Sequence, residues 1–241
     1  MQWSDEGIVL SSRAHGETSA IVELLTRSHG RHLGLVRGGR SKRLRPVLQA
    51  GNLVKADWRA RLSEHLGSYS VELLEANAAR VLDDRASLAG LNTLTALARL
   101  LPEREPHGPL YDATNMVLQA LSDGDHWPAL LVRWELGLLD ELGFGLDLES
   151  CASTGETSHL VYVSPKSGRA VGRDAGEPYK DKMLALPGFL LPGNGADPAQ
   201  DDIANGFRLT GYFLDKHVWH VRDLKPPPAR ARLVDLLAKQ K

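Results

Sequence analysis

The sequence predicts an α+β protein in which a small five-stranded β-barrel precedes a mainly α-helical region. Two observations predict this order. Short apolar runs separated by turn residues fill residues 6–76, whereas leucines with helical spacing begin near residue 88. The length of 241 residues allows one large domain or two ordinary ones. We therefore expect domains at 1–78 and 79–241, with an irregular insert at 145–196.

The five strands are predicted by apolar runs that end at turn residues. Turns at His15-Gly16 and 28–30 separate the first three strands, and one short helical turn is expected at Leu44–Gln49. A helical break after the third of five strands matches the OB-fold, a Greek-key barrel that often binds single-stranded nucleic acid. The expected strands are Glu6–Ser12, Thr18–Thr26, His32–Arg37, Asn52–Arg61 and Gly67–Ala76.

Three helices are predicted before the insert. The first carries leucines three or four residues apart from Leu88 to Leu101, and Pro102 ends it. The second spans about Tyr111–Leu121, and the third spans Trp127–Leu142 with tryptophans and leucines on one side. Such stripes are typical of core packing. The apolar side of the second helix is expected to hold Met116, Val117 and Leu121.

The insert and the C-terminal helices are predicted by turn and capping residues. A hairpin joins Leu160–Val163 to Arg169–Gly172 through a turn rich in Ser, Pro and Gly. Asp197 is the expected N-cap of a long helix with Pro198 at its first position. A last helix is expected at about Ala229–Lys239, after three prolines.

The candidate binding site is a basic stretch within the predicted barrel. It combines the third strand with the loop that follows it, and no carboxylate lies anywhere between Arg27 and Arg45. Unpaired positive charge at this density favours an anion, and nucleic-acid phosphate is the obvious one. The alternative is a solvated basic surface, which is what most charge runs are. The cations are Arg27, Arg31, Arg37, Arg40, Lys42, Arg43 and Arg45.

Charge and composition place further bounds on function. The overall net charge is −1, but residues 1–80 hold 12 Lys/Arg against 8 Asp/Glu, and the remainder holds 17 against 22. A basic first third suggests an anion-binding module attached to another part. The single cysteine, Cys151, excludes an intramolecular disulfide and fits a reducing cytoplasm. The N-terminus does not resemble a signal peptide, and no apolar run has the length of a membrane span.

Motifs for metal and nucleophilic chemistry are incomplete. Cys151 is followed by Thr154 where a C-x-x-C knuckle has its second cysteine, and Cys151 with His159 alone does not close a tetrahedral zinc site. His217 and His220 have no further ligand at a suitable spacing, so a packed helix end is the expected role. We expect no cofactor and no metal, only a degenerate zinc-ribbon-like hairpin.

The predicted barrel has few aromatic residues for stacking on bases. Residues 1–80 contain Trp3, Trp58 and Tyr69 but no phenylalanine. Base stacking is a main source of preference for single strands. We therefore expect binding through phosphates, with weak strand preference, no sequence preference and steep salt dependence.

Four groups of residues occur in the order that is found in a known family. They are Gly7–Leu10 with His15–Ser19, Gly34–Arg40, Cys151–Gly155 with Tyr162–Gly168, and Leu209–Leu214 with His217. On these residues the chain resembles the RecO family of bacterial recombination mediators, and is most similar to its alphaproteobacterial members. The resemblance covers nearly the whole chain.

The resemblance implies an N-terminal OB domain, a helical C-terminal domain and no enzymatic activity. It implies binding to single- and double-stranded DNA, strand annealing, and action with RecR to help RecA replace the single-strand-binding protein SSB in DNA repair. The implied location is the cytoplasm, in association with the nucleoid. The family's DNA-contacting basic residues fall at Arg37, Arg40, Lys42, Arg43 and Arg45.

The resemblance also bears on a zinc site and on a contact with SSB. Many members carry a four-cysteine zinc site near the position of Cys151, and this chain departs from that pattern. The family also contacts the acidic, aromatic-ended C-terminal tail of SSB through the helical domain. An apolar groove rimmed by cations suits such a tail. Arg133 beside Trp134 is one candidate, although that stripe is more typical of core.

The sequence leaves two other functions open. An RNA-binding OB module with a helical protein-docking domain has the same basic loop, because contact with the 2′-hydroxyl is what distinguishes RNA from DNA. A metal-dependent nuclease using Asp201 and Asp202 is disfavoured, because two adjacent acids at a helix start are ordinary capping and dipole residues.

Overall fold

The computed structural model describes residues 1–124, 126–191, 193 and 198–239. The chain forms two compact units, Met1–Gly124 and Asp125–Lys241. The first unit contains the barrel together with three helices. The domain boundary that the sequence places at 78/79 stays a prediction.

The first unit is built on a closed five-stranded barrel with the strand order β1-β2-β3-β5-β4. All neighbouring strands are antiparallel except β3 and β5, which pair in parallel at Leu35–Ser68 and Val36–Tyr69. This closure confirms the predicted OB-like barrel and the α+β class. The strands are β1 (Gln2–His15), β2 (Ser19–Thr26), β3 (Gly30–Val36), β4 (Leu53–Arg59) and β5 (Ser68–Glu75).

The long first strand makes the closed barrel possible. Its N-terminal half pairs with β4 and its C-terminal half pairs with β2, with a bulge between Val9 and Ser11. Bulges bend a strand and increase its twist, which a closed barrel requires. The barrel interior is filled by buried residues from all five strands, including Val9, Val22, Leu24, Val36, Val54, Ala56, Trp58 and Tyr69.

Three helices complete the first unit: α1 (Asn77–Arg80), α2 (Arg85–Ala98) and α3 (Gly108–Asp123). The carboxylate of Asp84 accepts a hydrogen bond from the Ser87 N–H at 2.6 Å and caps α2. Of the predicted leucine stripe, Leu91, Leu94 and Leu97 are buried on α2 and Leu101 is buried just beyond its end, whereas Leu88 is partly exposed. Met116 is 57% exposed, so its predicted place on the apolar side of α3 is wrong. It lies beside the buried series that includes Thr114, Val117 and Leu121, not within it.

In its described residues, the second unit combines four α-helices with a small sheet of order β7-β6-β8. The predicted hairpin is present, and a short third strand pairs with it. A π-helical turn, Asp215–Trp219, continues α6. The elements are α4 (Trp127–Glu141), β6 (Leu160–Val163), β7 (Ala170–Gly172), α5 (Arg173–Gly176), β8 (Leu184–Ala185), α6 (Gln200–Leu214) and α7 (Pro228–Ala238).

The start of α6 differs from the predicted one. Asp197, the expected N-cap, lies outside the described residues. Pro198 precedes the helix, which begins at Gln200, so its predicted place at the first helical position is wrong. An acid inside the first turn performs the capping: the Asp202 carboxylate accepts the Ala199 N–H at 3.2 Å.

A buried ion pair joins α7 to α4. The carboxylate of Glu135 is fully buried and accepts two hydrogen bonds of 2.8 Å from the Arg230 guanidinium. Thr210 of α6 donates to the same carboxylate. The burial of a carboxylate is tolerated only when it is paired and hydrogen-bonded, as it is here.

Candidate nucleic-acid interface

The basic loop, defined here as residues 37–45, leaves the barrel where β3 ends at Val36. Gly38 has a φ of +67°, a conformation that glycine adopts without steric cost. At Gly39 a side chain would come within 2.8 Å of the Ala20 Cβ, so the chain passes close against β2. The two glycines therefore turn the loop tightly back over the barrel.

The segment between the basic loop and β4 is anchored to the barrel. Leu48 is 3% exposed and belongs to the barrel core. The Asn52 amide donates to the carbonyls of Pro46 and Val47 at 2.8 and 3.2 Å. The Leu48 N–H donates to the Leu44 carbonyl with helical spacing inside the range Leu44–Gln49, where one helical turn was predicted, and the Arg45 N–H makes a similar bond to Ser41 just before it. The cations of the loop are therefore presented by an ordered segment.

Five of the seven predicted cations are exposed on this loop without an acidic partner. Within the described residues, none of the five forms an ion pair. Arg40 is the most constrained, because its guanidinium donates to the carbonyls of Gly16 and Glu17 at 2.9 and 2.8 Å. The five are Arg37, Arg40, Lys42, Arg43 and Arg45.

The loop forms one wall of a groove of about 540 Å³, called here the basic groove. Arg37 and Arg43 line it from the loop, and Arg59 lines it from the end of β4. Asp57 is the acidic residue among the described residues of the lining. Three guanidinium groups against one carboxylate make the groove suited to a polyanion.

Arg59 is a groove residue that the sequence analysis did not select. It lies outside the basic stretch, on a strand where exposed Lys55, Asp57 and Arg59 alternate with buried residues. That alternation indicates an outward side chain. The sequence gives no sign, however, that this face adjoins the basic loop.

Arg27 and Arg31 lie apart from the groove and are held by carboxylates. The Arg27 guanidinium makes two bonds of 2.9 Å with Asp112 of α3, and both side chains are more than half exposed. Arg31 is only 16% exposed in its side chain and bonds to Glu23 of β2. The role of both arginines in DNA contact stays a prediction.

The open end of the barrel holds a column of aromatic rings that the sequence analysis did not assemble. Trp3 stacks on His29 with a centroid distance of 4.1 Å and an interplanar angle of 9°. Trp3 also stacks on Trp58, with a centroid distance of 5.6 Å and an interplanar angle of 17°. A pocket of about 460 Å³, called here the aromatic pocket, is lined by these three rings and by His32 and Arg104, together with Met1, Gln2, Ser28 and Ser63.

Two family profiles match this chain. The profile described as "Recombination protein O N terminal" matches residues 1–77, and "Recombination protein O C terminal" matches residues 82–225. The chain belongs to the recombination protein O family. The predicted resemblance to RecO is thereby confirmed.

Curated relatives from alphaproteobacteria resemble the chain over nearly its full length. "DNA repair protein RecO" of Methylobacterium nodulans is 57% identical, with 98% of each chain covered. The protein of the same name from Mesorhizobium japonicum is 56% identical over 99% of this chain and 94% of the relative. That of Bradyrhizobium diazoefficiens is 53% identical over 100% and 96%, respectively.

Cys151 lies where many members of the RecO family carry a zinc site. The thiol accepts a hydrogen bond from the Gly172 N–H at 3.2 Å. Burial raises the pKa of Cys151, but hydrogen bonds from Thr154 and backbone N–H groups outweigh it and lower the pKa to about 7. A structural zinc ion needs four ligands, and in the described part of the chain no three His, Cys, Asp or Glu side chains cluster for a metal. These residues do not fit zinc.

Of the two histidines expected at a packed helix end, His217 packs against aromatic rings, whereas His220 is exposed. His217 stacks on Phe144 at 4.7 Å and on Phe213 at 6.0 Å, as expected for a packed helix end. Trp134 is 2% exposed and lies in the core. Arg133 donates to the Phe189 carbonyl at 2.7 Å. Arg133 and Trp134 therefore do not form an open groove for a peptide.

The second unit does contain a groove of about 700 Å³ between α6 and α7, called here the α6–α7 groove. Its apolar lining includes Ile203, Phe207, Val234 and Leu237, and its charged lining residues are Arg208 and Asp201.

None of the described helices is long and apolar enough to cross a membrane.

Proposed function

We propose that the chain is a DNA-binding and strand-annealing recombination mediator that acts in DNA repair and has no catalytic activity. The observation that carries this proposal is the basic groove, where Arg37, Arg43 and Arg59 converge on one side of an OB-like barrel. Membership of the RecO family, whose relatives are named DNA repair proteins, supports DNA as the ligand.

The proposed mechanism is charge neutralisation. The groove and the exposed cations of the basic loop contact phosphates of two complementary strands and release their counterions. Because phosphate charge is what keeps two strands apart, its neutralisation lowers the barrier to pairing. Contacts of this kind carry no base information, so annealing follows the complementarity of the strands themselves.

The proposed cellular role is to help load RecA onto single-stranded DNA that SSB covers, in complex with RecR. We propose that this takes place in the cytoplasm, at nucleoid DNA. The acidic, aromatic-ended tail of SSB is proposed to bind the α6–α7 groove. The apolar lining suits the aromatic end of the tail, and Arg208 suits its carboxylates.

The experiment that tests the proposal is fluorescence-monitored annealing of two complementary DNA oligonucleotides, one of them coated with SSB, over a salt series. We expect annealing that persists on the coated strand and decreases steeply as salt rises. Salt-sensitive binding without annealing contradicts the mediator role. A preference for RNA over a DNA oligonucleotide of the same sequence supports the RNA-binding module instead.

The absence of catalysis is tested in the same samples. Oligonucleotides incubated with the protein and Mg²⁺ or Mn²⁺ are expected to stay intact on a denaturing gel. Shortened products contradict the proposal and support the nuclease alternative.

A further inference from the structure

We propose that the aromatic pocket binds one unpaired nucleobase of single-stranded DNA, stacked on His29. This inference rests on the proposed function, because it assumes that the chain binds DNA. It adds a second site to the basic groove, with a different chemistry. The groove contacts phosphates, whereas the pocket contacts a base.

The column of rings gives the pocket a preformed stacking surface. Trp3 stacks on both His29 and Trp58, and among the described residues His29 stacks on no ring but that of Trp3, so the column ends at His29. The His29 side chain is still 33% exposed although Trp3 covers one of its faces. The exposure therefore falls on the outer face and edge of the imidazole, where a base completes the stack.

The His29 ring is held in position for this role. The Asp5 carboxylate lies 3.0 Å from Nδ1 of His29 and also accepts the N–H of Ser28 at 3.0 Å. The Thr26 hydroxyl accepts the N–H of His29 at 3.1 Å. A ring that is fixed before binding loses little conformational entropy when a base stacks on it.

Polar groups suited to a nucleotide lie around the rings. Ser28, Ser63 and Gln2 line the pocket and offer hydroxyl and amide groups to the edges of a base. Arg104 adds a cation for a neighbouring phosphate. It also donates to the carbonyls of Glu64 and His65 at 3.1 Å, and so orders the loop between β4 and β5. The volume of about 460 Å³ falls in the range of about 300–1,000 Å³ that is typical of small-molecule pockets.

The aromatic pocket and the basic groove have lining residues that are neighbours at the end of β4. Arg59 of the groove is paired with Gln2 on one side and with Ser68 on the other. Gln2 lines the aromatic pocket, and so does Trp58, the residue before Arg59. Neighbouring strands lie about 5 Å apart. A DNA strand whose phosphate contacts Arg59 therefore has an adjacent base within reach of the pocket.

This site makes the protein discriminate between strand types. A base in a duplex is paired and stacked on both faces, and extruding it costs a few kcal/mol. An unpaired base enters the pocket without this cost. The proposal therefore predicts a preference for single strands, although the low aromatic content of the barrel predicts a weak one.

The test compares three ligands of equal length and label by fluorescence anisotropy: a single strand with bases, a single strand of abasic residues, and a duplex. The wild-type protein is expected to bind the strand with bases about fivefold or more tightly than the abasic strand, since stacking contributes about 1–3 kcal/mol per base. His29→Ala is expected to remove this difference and to leave the affinity for the abasic strand unchanged. His29→Phe, which keeps a flat ring, is expected to preserve it.

Controls separate this inference from the proposed function. His15→Ala removes an exposed histidine outside the pocket and is expected to behave as wild type. Equal wild-type affinity for the two single strands overturns the nucleobase site but leaves phosphate binding intact. If none of the three ligands binds, the proposed function itself fails. Should His29→Ala not fold, as judged by circular dichroism, the wild-type comparison and His29→Phe still decide.

Discussion

The guanidinium of Arg31 is bonded to the carboxylate of Glu23, whose side chain is 4% exposed. Arg99 completes the site with a bond of 2.7 Å to the same carboxylate. Burial raises the pKa of Glu23, but the hydrogen bonds from Arg31, Ser11 and Arg99 outweigh it and hold the pKa below its ordinary value of 4.5. A residue of the basic stretch thus links β2 and β3 to the segment that follows α2, on the face of β2 opposite the barrel interior.

Replacement of Arg31 is expected to affect stability rather than DNA affinity. Arg31→Met leaves Glu23 with one cation instead of two, and loss of a buried partner costs on the order of 3 kcal/mol. We expect this decrease in the free energy of unfolding in urea denaturation. Arg27→Met, which removes an exposed ion pair, is the matched control and costs less than about 1 kcal/mol. An Arg31→Met protein with wild-type stability contradicts the structural role.

The Glu23 site also predicts a dependence of stability on pH. Because the folded-state pKa is lower than the unfolded one, the contribution is fully present above the unfolded pKa of about 4.5. It is lost as the pH falls through the lower folded pKa. With Glu23→Gln, we expect the free energy of unfolding to depend less on pH below about 4.5, which is the acid limb of the stability profile. An unchanged acid limb in this variant argues against the lowered pKa.

His32 makes the stability of the fold depend on pH over a higher range than Glu23 does. Burial lowers its pKa from 6.5 to about 4, and the nearby Arg104 and His29 act in the same direction. The unfolded chain therefore binds more protons, so stability decreases as the pH falls from about 6.5 towards about 4. Chemical denaturation at several pH values checks this, with His32→Leu expected to show a flatter profile. A His32→Leu profile parallel to wild type contradicts it.

The role of the basic groove in binding phosphate is tested by removing arginines that line it. Arg37→Ala combined with Arg43→Ala is expected to weaken binding to single and double strands alike. Each lost phosphate contact removes about 0.7–0.9 from the slope of log affinity against log salt, so the double variant loses about 1.5. Salt titrations by anisotropy measure this slope. Arg232→Ala, which removes an exposed arginine of α7, serves as the control outside the groove, and a double variant with wild-type slope excludes the groove as the phosphate site.

The α6–α7 groove is tested with a fluorescent peptide of the acidic SSB tail. Arg208→Glu is expected to weaken peptide binding about tenfold, because it places like charge beside the carboxylates of the tail. Arg232→Glu changes an exposed arginine of α7 that does not line the groove. Equal affinity of the two variants for the peptide places the tail elsewhere.

The sequence by itself determined most of the strands and helices and most of their exposed and buried faces, with Met116 and Pro198 as exceptions. Alternating residues in β4 and the leucine spacing of α2 are local signals, since a strand has a period of two and a helix a period of 3.6. The absence of carboxylates from the stretch Arg27–Arg45 is equally local. These patterns therefore predicted the barrel, the helices and the exposed basic loop.

Only the tertiary structure decided which side chains meet. Arg27 pairs with Asp112, which is 85 residues away in the chain, and Arg31 pairs with Glu23 of the neighbouring strand β2. Periodicity tells which face a residue occupies but not which distant residue faces it, because register and closure depend on the whole barrel. For the same reason, the position of the β4 face next to the basic loop could not be predicted from the sequence. Three rings scattered from residue 3 to residue 58 form one column only because β1 and β4 pair and the β2–β3 turn lies beside them.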